Sequence, residues 1–361
     1  MDEGLFESNA ADGYSVDNLP PATPEDLFAS ASGNDISIGW SYIHDDDFGY
    51  HQLNSLGDDP SYTTSNDITT NLGVFYNEYS VNSVDVHGNL SDPSSERVAG
   101  YDLHPGANLV SFSVLPDDPS VSNVINTLDI TSIIGEGVAS SYSDALGWLG
   151  SVGDIDQCQG YWLLSSGGGV LVTVGNKEEC TEYDIHYGAN LIGYTCSYPL
   201  SISSIENLLV ENDINTIIGE GLATTYNPIL GFVGSLESLA PGSGYWFIGD
   251  SDDMQFGLEC PAERPEASSR IVIPPIGGYA QSTQQAFYFF GDVEGIEAGD
   301  VIRSYHGDHL IGARAWFGAY SDVPAMGLDF GTHAQGPAAR QGKLAVLVQS
   351  GSVNHRLSES H

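Results

Sequence analysis

Apolar and polar residues along this chain alternate in short runs, with few long helical periods. Segments of β-branched and aromatic residues are broken by clusters of Gly, Asn, Asp and Ser, a pattern that predicts strands joined by turns. In "ISIGW", Ile36, Ile38 and Trp40 fall on one face, and Tyr79, Val81 and Ser83 do the same ahead of a Gly-Asn turn. "AFYFF", "DVIRSY" and "HLIGARAW" read as later strands joined by Gly-Asp turns. Helical spacing shows at Val121, Val124, Ile125 and Leu128, and again at Ile202, Ile205, Leu208 and Leu209, each run opening with a serine placed to cap. The fold class expected is mainly β and multi-domain.

The second pair of helical runs is one sign of a duplication. "YDLHPGANLVSF" at Tyr101 returns as "YDIHYGANLIGY" at Tyr183, "IIGEG" at Ile133 returns at Ile217, and "GYWLL" at Gly160 returns as "GYWFI" at Gly244. The offset is 82 residues at the first motif (183 − 101) and 84 at the last (244 − 160), so only a small net insertion separates the copies. Each copy is expected to run strand, short helix, Gly-Glu-Gly segment and a closing hairpin around Gly-Tyr-Trp. Units of this size duplicated in tandem are modules of an array.

Residues 19–99 resemble a fibronectin type III domain. The Pro-rich entry, Trp40 and the Tyr-x-Val-x-Ser-x-Asp run before "HGNLSDPS" carry the resemblance, which implies a β-sandwich and says nothing of function. Such a domain followed by tandem Gly-Tyr-Trp repeats, here 100–181 and 182–263, resembles segments of large modular secreted or surface proteins of marine bacteria. The pattern "GD-I---GD---GAR" in 264–361 resembles a β-domain found beside those repeats, for which no activity is established. After Gly336 the expected glycine-rich turn is missing, so an irregular last strand is expected. The opening segment "GLFESNAADGY" reads like "NLSDPSSERVAGY" at the end of the sandwich, so residues 1–18 are expected to be the tail of a preceding module, or a donor strand. An unpaired strand there, with a gap near "KLAVLVQSGSV", would build a head-to-tail filament.

Charge narrows the partners. The formal net charge is -40, and of nine basic residues only Arg97 and Lys177 precede Arg264. Nucleic acid is excluded as a partner, because phosphate binding needs clustered Lys and Arg, and anionic membrane surfaces are disfavoured on the same ground. An apolar content of 41% with nineteen tyrosines is too high for disorder, so a folded acidic protein is expected. No run of 18 apolar residues is present, and the first residues lack the basic start and apolar stretch of a secretion signal. An extracellular or cell-surface location, with the signal upstream in a longer parent, fits best. Four cysteines without CxxC spacing lean towards disulfides in an oxidising compartment. The natural pairing is within modules, Cys158–Cys180 and Cys196–Cys260, with Cys180–Cys196 as the rival.

Candidate chemistry is sparse. Glu136 and Glu220 could be paired carboxylates of a glycosidase. As equivalent positions of two modules they are expected far apart, each accepting backbone N–H bonds in its own glycine-flanked turn. Trp148, Trp162 and Trp246 could be sugar-stacking platforms; alternation puts one of each Tyr-Trp pair inward and leaves the other as a candidate contact. Asp45, Asp46 and Asp47, and Asp250, Asp252 and Asp253, could gather calcium through carboxylate oxygens, although neither run has EF-hand spacing and both also read as solvated turns. His306 and His309 flank a Gly-Asp turn that reads as a hairpin tip rather than a metal site. Nucleophile elbow, zincin, P-loop and dinucleotide fingerprints are all missing from the sequence. The leading expectation is a non-enzymatic extracellular structural or adhesive protein that self-associates or joins a neighbouring surface protein, with no cofactor beyond calcium. The alternative is a glycan-binding ancillary region of a secreted polysaccharide-degrading enzyme, and a hydrolase with its site in the C-terminal domain comes third.

Overall fold

The structure is a computed structural model. It describes residues 18–42, 45–56, 58–125, 129–251, 254–262, 276, 278–291, 293–327, 344–350 and 353–357, the last two stretches without their side chains. The opening segment and Leu128 lie outside the described residues, as do Asp252, Asp253 and Gly336.

The first unit is a sandwich. Strands β1 (Glu25–Ser32), β2 (Asp35–Ser41) and β5 (Asp67–Asn71) make one sheet. Strands β4 (Ser61–Thr63), β3 (Phe48–Ser55), β6 (Tyr76–Asp85) and β7 (Arg97–Leu103) make the other, in that order. This is the fibronectin type III-like arrangement, and Ile36, Ile38, Trp40, Tyr79 and Val81 fill its core. Its second sheet does not stop at β7. It continues into β14 (Gly169–Lys177), which pairs with β7 from Gly169↔Leu103 to Gly175↔Arg97, and ends on β9 (Val114–Leu115). Because side chains alternate across a strand, Val98 and Val170 face the sandwich core, whereas Ala99, Tyr101 and Leu171 face the next core. The expected boundary at 99/100 therefore falls inside a strand that walls both cores.

The duplication is visible in the sheets. The first repeat has the order β12 (Gly147–Gly150), β11 (Ala139–Ser143), β10 (Ile130–Ile134), β13 (Gly160–Ser165), β8 (Gly106–Ser111). The second has β20 (Gly231–Gly234), β19 (Ala223–Asn227), β18 (Ile214–Ile218), β22 (Gly244–Gly249), β16 (Gly188–Gly193), an equivalent sequence of strands. Small pairs add β15 (Glu182–Ile185) to β23 (Met254–Gly257) and β17 (Leu200–Ser201) to β21 (Ser238–Leu239). Equivalent residues build the two cores: Tyr101, Ile133 and Tyr161 in one, Tyr183, Ile217 and Tyr245 in the other.

The helices are shorter than their spacing suggests. Helix α1 covers Val121–Val124 and α2 covers Glu206–Glu211 after a 3-10 turn at Ile202–Ser204. Neither Ser120 nor Ser201 makes a capping side-chain bond; Ser120 Oγ meets Ser122 and Ser201 Oγ meets Ser203 instead. Two disulfides join Cys158 to Cys180 and Cys196 to Cys260, the within-module pairing.

The C-terminal unit pairs β24 (Gln285–Phe290) with β27 (Ser321–Met326). Beside them lies the sheet β26 (His309–Ala315), β25 (Val301–His306), β28 (Leu344–Ser350), β29 (Val353–Leu357). His306 and His309 face each other across a two-residue turn whose Gly307 has a positive φ of 62, a backbone conformation that favours glycine. The irregular last strand is corrected: β28 pairs with β25 from Leu344 to Gln349 and with β29 from Val346 to Ser350, each without a register shift.

Candidate functional site

The site begins with Glu136 and Glu220, which accept backbone N–H bonds as expected, but from the other repeat rather than in their own turns. Neither glutamate bonds within its own turn. Glu220, in the second repeat, accepts from the backbone N–H of Leu109 (2.7 Å) and from His104 Nε2 (2.5 Å), both in the first repeat. Glu136, in the first repeat, accepts from Leu191 N–H (2.7 Å) and from His186 Nε2, both in the second. The exchange is reciprocal, as a two-fold arrangement of equivalent modules requires. Each carboxylate has both oxygens engaged, so the two do not form a facing acid–base pair.

The histidines explain the charge of this seam. His104 Nδ1 meets the carbonyl of Pro105 at 2.8 Å, and a carbonyl only accepts, so Nδ1 carries a proton. Burial works to lower the pKa of His104, but the hydrogen bond and charge of Glu220 outweigh it and push it up to about 9. The ring is an imidazolium at neutral pH. His186 makes the same pair of contacts, to Tyr187 O and Glu136. Asn108 and Asn190 hold the His-containing turns, each accepting from the histidine N–H and donating back to the histidine carbonyl.

Between the two locks the backbones touch. Ser111 N–H donates to Gly242 O (3.0 Å), and its equivalent Gly193 N–H donates to Cys158 O (2.9 Å). A side chain on Gly160 would place Cβ 2.8 Å from Ile192 O, and on Gly244 2.9 Å from Val110 O. The glycine of Gly-Tyr-Trp is thus needed for close approach of the other repeat rather than for a turn. Trp162 is 1% exposed and packs with Ala107, Leu109 and Leu191, with Trp246 against the same cluster. Tyr161 and Tyr245 point the other way, into their own cores. The expected exposed partner of the Tyr-Trp pair does not exist in the first repeat, and Trp162 has no face to offer a sugar. Trp148 is half-buried against the first repeat's core, edge-on to Tyr142 at 5.7 Å.

The few cations are held in the same economy of charge. Arg97 and Lys177 both converge on the buried carboxylate of Glu78, Lys177 Nζ at 2.8 Å and Arg97 Nε at 3.9 Å, while Lys177 also reaches Ser197 of the second repeat. Tyr76 donates to Glu78 and bonds Ser113, and its ring covers Gly242. Sandwich and both repeats therefore meet at one point. At the other end, Arg314 pairs with Asp322 at 3.0 Å and donates to Gly221 O, and Ser235 Oγ donates to Asp322 at 2.7 Å. Burial raises the Asp322 carboxyl, with Arg314 and Ser235 pulling the other way. Gln285 brackets Gly219 O and Gly221 N.

The acidic runs are turn residues in the structure. Asp45 accepts from Ala22 N–H and Tyr42, Asp46 is exposed, and Asp250 accepts from Asn215. Asp47 lies with Asp85 and His87, ligand atoms within 4.8 Å of one another, but Asp85 already accepts from His87 N–H and Asn89. A groove of about 320 Å³ between sandwich and first repeat is lined by Ala29, Ala31, Pro116, Val124 and Val172 and carries no aromatic ring. The duplicated His beside a duplicated Glu was the signal available in the sequence for the seam.

No protein-family model matches this chain, and no curated protein matches it. Among solved structures, a chitinase, ChiA74 from Bacillus thuringiensis, is 15% identical over 44% of this chain, with a TM-score of 0.22. The chain spans 28% of that chitinase's length. The FN1–FN3 domains of chicken CNTN1 are 11% identical over 65% of this chain and 91% of that one, with a TM-score of 0.19. The central fibronectin-III array of RIM-binding protein is 10% identical over 95% and 99%, also with a TM-score of 0.19.

Proposed function

We propose that this chain is a non-enzymatic structural or adhesive segment of an extracellular modular protein, in which modules are joined side to side into one stiff unit. The observation that supports it most is the reciprocal seam. The residues that the sequence offers for chemistry, Glu136, Glu220, His104 and His186, bond one another across two modules. Sheet continuity from β6 through β7 to β14 removes a flexible joint between sandwich and first repeat. Two disulfides suit an oxidising compartment, and no helix among the described residues is long and apolar enough to cross a membrane. The resemblance of the repeats to modules of large secreted proteins points the same way. Incubation with a panel of polysaccharides, reading both retention and new reducing ends, tests the proposal. Neither is expected; release of reducing ends would replace it with a hydrolase.

The glycan-binding reading keeps one foothold, the Tyr142–Trp148 pair, where Tyr142 is 51% exposed. Saturable retention lost in Trp148→Ala would favour it.

A further inference from the structure

The two repeats present equivalent edges, and the C-terminal domain covers one of them. On the second repeat, Gly221 and Ala223 are buried and Ser235 is 9% exposed, because Gln285, Arg314 and Asp322 bond to Gly219 O, Gly221 N, Gly221 O and Ser235 Oγ. On the first repeat the same groups recur as Gly135, Gly137, Ala139 and Ser151. There Gly137, Ala139 and Ser151 are exposed, and nothing lies within 4 Å of where a Cβ on Gly137 would stand. At Gly221 the same Cβ would meet Gln281 at 2.6 Å. Beside the uncovered edge, Val138 and Leu149 are 37% and 50% exposed.

We propose that this edge of the first repeat is a docking surface for a β-domain of the C-terminal kind on another polypeptide, one presenting a glutamine and a buried Arg–Asp pair. The recognition chemistry is that of the intramolecular contact. A glutamine amide brackets the carbonyl and N–H of the Gly-Glu-Gly turn, a guanidinium takes the second glycine carbonyl, and its aspartate takes the serine hydroxyl. The backbone groups are fixed by the same turn in both repeats, since Gly135 N–H donates to Val138 O as Gly219 N–H donates to Leu222 O, each at 2.9 Å. Ser151 Oγ bonds only across its own strand pair, to Ala139, and a rotation of its side chain frees it for an aspartate. The surface does not depend on whether the chain is structural or glycan-binding. Among the described residues there are two such edges and one covering domain, which sits on the second repeat, so the first repeat's edge is left for a partner.

The chain's own C-terminal domain is the probe. In full-length Ser235→Lys the bulk and charge of a second cation beside the buried Arg314 expel the domain from the second repeat, leaving it free to dock on the first repeat of another molecule. Sedimentation velocity is expected to show a mass above monomer, and Ser235→Lys/Ser151→Lys is expected to return to monomer. A monomeric Ser235→Lys chain whose Trp316 emission reports a folded C-terminal domain overturns the proposal, as does association indifferent to Ser151→Lys. A second variant covers loss of the fold on release: Leu222→Val/Phe232→Trp/Val233→Leu gives the second repeat the first repeat's side chains at these three positions. Hydrogen exchange at Gly219–Ala223 is expected to stay as slow as in the parent. Fast exchange there would show that the first repeat's edge cannot hold such a domain, and would also overturn the proposal.

Discussion

The two repeats share strand order, core residues and a glutamate–histidine lock, yet they sit in different surroundings. The first is walled by the sandwich through β7 and β14. The second is capped by the C-terminal domain through Arg314 and Asp322. Their common part is the seam, and their differences lie on the outer faces. The comparison teaches that the Gly-Glu-Gly and Gly-Tyr-Trp segments were duplicated as an interface: each motif is read by the opposite copy. Glutamate reaches the other repeat's His and Leu N–H, and glycine admits the other repeat's carbonyl.

The comparison is broken most severely at the close approach. Gly160→Val or Gly244→Val sets Cβ against a backbone oxygen that belongs to the other repeat. Each is expected to cost about 3 kcal/mol or more, since the backbone cannot move aside as a side chain would. Trp162→Ala empties the centre of the seam and is expected to cost about 3–5 kcal/mol. Trp246→Ala should cost less, because that ring is only partly buried. Urea titrations of the four variants, in parallel, check the order.

Lys177→Ala comes next, at about 3 kcal/mol, because it leaves the buried Glu78 with the Tyr76 hydroxyl and, as its one remaining cation, the more distant Arg97. A surface lysine would cost almost nothing. Thermal melts of Lys177→Ala against the parent chain separate the two cases, since an unchanged midpoint would mark a surface charge. On the other outer face, Asp322→Ala strands Arg314 without its carboxylate. It should detach the C-terminal domain from the second repeat while the seam stays intact, seen as faster hydrogen exchange at Gly221 but not at Leu109.

The smallest effect is a pH dependence. The folded pKa of His104 is raised to about 9, above the unfolded value of roughly 6.5. Its contribution is therefore full below pH of roughly 6.5 and is lost as pH rises through about 9. His104→Asn should flatten the alkaline limb of a melting-temperature profile between those values.

Much of the fold was legible because period-two patterning is local. Ile36, Ile38 and Trp40 face the sandwich core as their alternation says, and the repeat was plain from self-similarity. Disulfide pairing followed from module boundaries. The seam was harder to see, since a motif present twice gives no sign of whether it bonds within its own copy or with the other. Alternation of Tyr161 and Trp162 was read correctly, but it cannot reveal that both faces of β13 are covered. A stronger hint lay in the charges. In a chain so poor in cations, Arg97 and Lys177 stand beside one buried carboxylate, Glu78, two residues beyond Tyr76 on β6. The serines before the helices misled because backbone carbonyls from elsewhere serve the first N–H groups, Gly153 O for Val121 and Glu237 O for Ile202.

The central claim is that the repeats form a single cooperative unit closed by reciprocal glutamates. Native-state hydrogen exchange on Glu220→Gln tests it most directly. The substitution lies in the second repeat, yet protection is predicted to fall at Leu109 and, by the same free energy, in β13 of the first repeat and β22 of the second. Loss confined to the strands of the second repeat, with β8 and β13 as protected as before, would contradict the account.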